Sequence, residues 1–169
     1  MMQNQFSLIR LKQEYELCIH DNELIQIGCN FGLENDNIFS WRITMVGPRG
    51  TPYEAGLFTL IAKFPNDYPI HGPEFKFLNK IYHLNVDFKN QESLGSICIN
   101  NLNEWKTTGI VKNYPYYTVK QALFDIFSLF YVRGFKEDDS NYLSASARIP
   151  SLRQFDEEAK KWTQLYASM

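Results

Sequence analysis

One stretch of the chain sets a reactive side chain where a core residue would be out of place. It is "LGSICINNLNEW", residues 94–105, with Cys98 between a Gly-Ser pair and Trp105. A thiol does nucleophilic chemistry only when it is exposed and the backbone holds its sulfur toward a substrate; burial makes it inert. Gly95 and Ser96 supply an irregular backbone that permits close approach. The mixed polarity of "CINNLNEW" lacks the apolar regularity of a core strand. On residue types alone Cys98 is either a nucleophile or an incidental cysteine. A Cys–His hydrolase needs a histidine base. His20, His71 and His83 are the choices; His83 is the one clearly near this stretch in sequence, and no papain-type signature surrounds the cysteine.

Cys18 and Cys29 read as small core hydrophobes. With Cys98 they make three cysteines, odd in number and widely spaced, which fit neither a disulfide framework nor a CxxC metal site. That usage points to the cytoplasm or nucleus. A formal net charge of −2 argues against a nucleic-acid partner. No apolar run approaches bilayer length and "MMQNQFSLIRLKQEYEL" carries no signal-peptide pattern, so no membrane association is expected. The 169 residues are expected to form a single domain, 1–169.

The elements that must position the cysteine follow from periodicity. Leu8, Leu11, Tyr15, Cys18 and Ile19 predict a helix over 6–19. The segments "LIQIGC", "IFSWRITMV", "LFTLIAKF" and "EFKFL" predict four strands, with turns such as "GLENDN" and "GPRGTPYEAG" between them. Short connections favour an antiparallel meander. Residues 64–117, interrupted by Pro65, Pro69, Pro73 and Pro115, lack long periodicity and read largely as a functional loop region. Thr118 and Gln121 form a capping-box signature ahead of Val119, Ala122, Leu123, Ile126, Phe127 and Phe130, with Gly134 as the stop. Ser151 and Gln154 repeat the signature for a last helix with Leu152, Phe155, Ala159, Trp162 and Leu165 on its apolar face. Helix, sheet, long loop and helices make an α+β pattern.

In order along the chain, "FPNDYPIHGPEFKFLNKIYHLN" (64–85), "GSIC" and Trp105 resemble the ubiquitin-conjugating enzyme family. "FSWRITMVGPRGTPYEAGLF" is similar to the family's second and third strands, and "EEAKKWTQLYA" to its last helix, so the resemblance covers nearly the whole chain. It implies the ubiquitin-conjugating-enzyme fold: N-terminal helix, four-stranded antiparallel sheet, central and C-terminal helices. It also implies that Cys98 takes the C-terminal carboxyl of ubiquitin, or of a ubiquitin-like modifier, as a thioester from an activating enzyme. The acyl group then passes to a substrate lysine, with a ubiquitin ligase as further partner. Thioester exchange is nearly balanced in energy, so a thiol without a histidine base suffices.

By the same resemblance Asn85 donates to the oxyanion formed when an amine attacks, or holds the active-site loop. His83 has a structural hydrogen-bonding role, and Tyr82 packs nearby. The acidic residue that orients the incoming lysine falls on Asp138 or Asp139, with a solvated acidic turn as the alternative. Arg10 and Lys12 match the surface that meets the activating enzyme, diluted by Glu14 and Glu16. Pro69, Ile70 and Pro73 lie on a loop that ligases grip. No metal or organic cofactor is implied.

Four features depart from the family pattern. Leu84 stands at the motif proline, "VDFKNQESL" is longer than usual, "KTTGIVKNYPYY" carries an insertion, and Gly72 replaces the first of two prolines. All flank the active site or the ligase surface, which suggests an altered partner surface. An inactive conjugating-enzyme-like binding or scaffold protein is the competing expectation.

Overall fold

In the computed structural model the described residues are 2–114, 116–132 and 151–168. They comprise α1 (Met2–Ile19), α2 (Asn22–Gln26), β1 (Asn30–Glu34), β2 (Asn37–Val46), β3 (Leu57–Lys63), β4 (Glu74–Phe77), α3 (Asn100–Thr108), α4 (Val119–Ser128) and α5 (Leu152–Tyr166). The strands form one antiparallel sheet in the order β1-β2-β3-β4. Alternation puts Trp41, Ile43 and Met45 of β2 on the same face as Phe58, Leu60 and Ala62 of β3 and Phe75 and Phe77 of β4. All eight are buried, and with the inner faces of α1, α4 and α5 they form the core. The result is the α+β architecture read from the sequence.

The two capping boxes are as read. Thr118 and Ser151 each accept from the backbone N–H three residues on, and Gln121 and Gln154 reach back to the cap N–H. α4 stops at Ser128, and the expected stop, Gly134, lies outside the described residues. On α5 the buried positions are Phe155, Ala159 and Thr163; Leu152 and Leu165 are exposed.

Three elements differ from expectation. "LIQIGC" forms α2 and the turn after it, because Asp21 caps this helix, accepting from the N–H groups of Glu23 and Leu24, both at 3.0 Å. The first strand is instead "NFGLE", an edge strand in which only Phe31 and Leu33 alternate toward the core, both half-buried. On α1 Leu11 and Cys18 are buried as read, but Ser7 and Glu14 complete that buried line while Leu8, Tyr15 and Ile19 are half-buried.

Glu14 explains that shift. At 4 % exposure its carboxylate accepts from the Tyr68 hydroxyl (2.6 Å) and the Val119 N–H (2.9 Å) and pairs with Arg10 (3.1 Å). One acidic side chain thus ties α1 to the start of α4 and to the loop after β3. Ser7 adds a second tie by donating to the Asn66 carbonyl at 2.8 Å.

Candidate active site

A further correction concerns the residues after the cysteine. "NNLNEWKTT" is a helix, α3, where the sequence reads as loop. Leu102 and Trp105, three apart, turn inward, and Gly109 ends the helix in the left-handed conformation at φ 72°. Tertiary packing overrides the weak helix preference of the asparagines. Trp105 is buried edge-on to Tyr117 with ring centres 5.0 Å apart, and its carbonyl accepts the Gly72 N–H at 2.9 Å. A Cβ at position 72 would lie 2.3 Å from Trp105 Cδ2, so glycine stands where the indole leaves no room for a side chain.

Cys98 is half-buried and sits just before α3. Its backbone is stitched to Asn85 twice. The Cys98 N–H donates to the Asn85 carbonyl at 2.7 Å, and Asn85 Nδ2 donates to the Cys98 carbonyl at 2.9 Å. Upstream, Val86 bridges Ile97, and the Phe77 N–H donates to the Gly95 carbonyl at 2.8 Å. Gly95 adopts φ +81°, and a Cβ there would meet the Phe77 carbonyl oxygen at 2.0 Å. The sulfur is therefore held by main chain on both sides. The side-chain amide of Asn103 lies 3.9 Å from Cys98 Sγ.

His83 is fully buried and is the post behind Asn85. Its Nδ1 accepts the Asn85 N–H at 3.0 Å and its Nε2–H donates to the Val132 carbonyl at 2.7 Å. These bonds set one neutral tautomer, and burial holds its pKa below the ordinary histidine value. Leu84, at the motif proline's place, packs against the core. Here the hydrogen bonds to His83 and Cys98 restrain Asn85. Tyr82 packs between Phe88, Phe155 and Trp162 at 5.2–5.6 Å, and Tyr53 donates to its carbonyl.

Phe88 belongs to the longer segment ahead of the cysteine, and it docks on α5 through Trp162, ring centres 5.0 Å apart. Asp87 organises the rest of that segment. Its carboxylate accepts from the N–H groups of Lys89 (3.0 Å) and Asn90 (3.2 Å) and from the Ser93 hydroxyl, which holds its pKa below the usual value.

Among the expected partner-facing residues, Ile70 is 57 % exposed and Pro69 partly so, whereas Pro73 is buried and belongs to the interior. The loop after α3 lies directly behind Ile70: a Cβ on Gly109 would sit 2.0 Å from the Ile70 carbonyl oxygen. Arg10 is committed in part to Glu14, leaving Lys12 as the exposed cation of that pair. Glu14 is buried, so of the two acids only Glu16 stands on the α1 surface. Asp138 and Asp139 lie outside the described residues. Among those described, no group of three or more His, Cys, Asp or Glu is arranged to hold a metal.

Comparison with known proteins agrees with this architecture. The model of the ubiquitin-conjugating enzyme family matches residues 10–163. An Arabidopsis thaliana protein named "Probable ubiquitin-conjugating enzyme E2 31" is 36 % identical over 160 residues, covering 94 % of this chain and 92 % of its own. A crystal structure titled as a "putative ubiquitin conjugating enzyme" from Plasmodium yoelii superposes with a TM-score of 0.72 at 30 % identity, over 96 % of each chain. The E2 domain of a Toxoplasma gondii ubiquitin conjugating enzyme gives 0.66 at 28 % identity, over 95 % of this chain and 99 % of that one. The chain belongs to the ubiquitin-conjugating enzyme family.

Proposed function

We propose that this chain is an active transferase that carries ubiquitin as a thioester on Cys98 and delivers it to a substrate lysine. The observation that carries the reading is the double hydrogen bond between Asn85 and Cys98, which sets an amide and a half-exposed thiol on one rigid support. In charging, Cys98 Sγ attacks the thioester on the activating enzyme's cysteine, and that cysteine leaves as thiol. In transfer, the lysine amine attacks the new thioester and negative charge gathers on the carbonyl oxygen. Asn85 spends one amide hydrogen on the Cys98 carbonyl; an NH2 group carries a second, available to that oxyanion. A ligase uses the exposed Ile70 surface, an activating enzyme the Lys12 side of α1, and Asp138 or Asp139 orients the lysine.

The test is incubation with activating enzyme, ATP and ubiquitin, with products resolved with and without reductant. A reductant-sensitive adduct absent from Cys98→Ser is expected. No adduct with ubiquitin or any ubiquitin-like modifier would remove the transferase reading and leave an inactive binding protein. Asn85→Ala should still charge but discharge onto free lysine roughly 100- to 1000-fold more slowly. An unchanged discharge rate would remove the oxyanion role.

A further inference from the structure

We propose that Asn103 is a further catalytic residue, whose side-chain amide stabilises charge on Cys98 Sγ as the thiolate forms and as it departs; this rests on the transferase reading above. Asn103 stands one turn into α3, and its Nδ2 lies 3.9 Å from the sulfur, within reach of an N–H···S contact. The helix start is set up to leave that amide to the sulfur. Asn101, the other described asparagine with an assigned partner on this turn, donates instead to Asp125 on α4 at 2.8 Å. Ile99, the residue ahead of α3 and next to Cys98, offers no side-chain cap to the first turn. His83 has both ring nitrogens engaged elsewhere.

Among the described residues, three carboxylates on neighbouring elements have donors of their own. Asp87 takes the Lys89 and Asn90 amides and Ser93, Glu104 takes the Lys112 N–H at 3.0 Å, and Asp125 takes Asn101 and the Tyr117 hydroxyl at 2.5 Å. Among the described residues these carboxylates are engaged by the donors named, and the Asn103 amide is a neutral donor placed beside the sulfur. During transfer the amine adds to the thioester carbonyl and the C–S bond breaks with its electron pair on Sγ. The amine's proton reaches that sulfur through solvent. An N–H aimed at Sγ lowers the energy of the breaking bond, because a hydrogen bond to an ionised acceptor is stronger than one to a neutral one.

The position is exposed and helical, so Asn103→Leu removes the donor, keeps the shape and should fold. Two readouts separate chemistry from structure. The first is the pH dependence of iodoacetamide alkylation at Cys98, read by peptide mass spectrometry. Its midpoint should rise by about 0.5–1 pH unit in Asn103→Leu. The second is single-turnover discharge onto free lysine, where the maximal rate should fall about 3- to 10-fold with the half-saturating lysine concentration unchanged. Asn103→Gln, which keeps an amide, should recover part of both. Coincident alkylation profiles in wild type and Asn103→Leu would overturn the role of Asn103 even if the wild type charges normally. Failure of the wild type to form any thioester removes the functional reading, and the catalytic role with it, whatever the alkylation midpoint does.

Discussion

The buried Glu14 carboxylate offers the sharpest test of how this fold holds the loop after β3. Glu14→Ala leaves the Val119 N–H and the Tyr68 hydroxyl without their acceptor and Arg10 without its counter-charge. Removing one member of a buried charged cluster costs about 3–5 kcal/mol, since each orphaned donor alone costs roughly 1–3. Glu14→Gln is milder. Its remaining oxygen keeps the Val119 N–H, and the Tyr68 hydroxyl can turn to accept from the new NH2, so the expected loss is about 2 kcal/mol. In a chain of this length each kcal/mol shifts Tm by about 2–4 °C, so Glu14→Ala should melt about 6–20 °C lower. Urea titration followed by tryptophan fluorescence gives the free energies, Trp41 and Trp105 being buried reporters. Adding Tyr68→Phe closes a double-mutant cycle, and a coupling of at least about 1 kcal/mol is expected between partners 2.6 Å apart. A loss under about 1 kcal/mol in Glu14→Ala, or a cycle without coupling, would refute the idea that this carboxylate anchors the loop.

Three further outcomes are expected. Burial lowers the folded-state pKa of His83 below its unfolded value, so its contribution to stability is full above about pH 6.5 and is lost as pH falls. Stability should decline with a slope of up to about 1.4 kcal/mol per pH unit below that point, and His83→Gln should flatten it; an unaltered slope would count against a neutral buried ring. Native alkylation at pH 8 should label Cys98 while sparing Cys18 and Cys29, whose buried thiols are pushed up to about 12; comparable labelling of all three would contradict their place in the core. Gly95→Ala combines a left-handed backbone with a 2.0 Å approach to the Phe77 carbonyl, and urea titration should show a loss of at least about 1–3 kcal/mol; a neutral substitution would mean that the turn before Cys98 is not held against β4.

What could be read in advance follows from where each signal resides. β2, β3 and the starts of α4 and α5 were legible because alternation and the Thr118–Gln121 and Ser151–Gln154 pairs are local. Cys98, Asn85 and Trp105 were legible through motif order, although the hydrogen bonds that join Cys98 to Asn85 were not. α2 was misread because its β-branched residues outweighed a single cap, Asp21. β1 is a short edge strand with only two half-buried residues, Phe31 and Leu33, on its inner face, and α3 is helical because Leu102 and Trp105 find a core that no local spacing announces. The burial of Glu14 and the approach of Asn103 to Cys98 Sγ were missed for the same reason. Each acts on atoms brought near by the fold, and an acidic or amide side chain in a polar-looking run carries no mark of burial or contact.

The fit between Gly72 and Trp105 also constrains descent and engineering. A proline at position 72 would thrust its Cβ into the indole and delete the N–H that bonds the Trp105 carbonyl, so the substitution is penalised twice. In this chain the glycine is therefore matched to where the indole sits, not merely to its presence. A chimera that places a proline at position 72 must also move the indole, which means altering the helix after the cysteine that carries it.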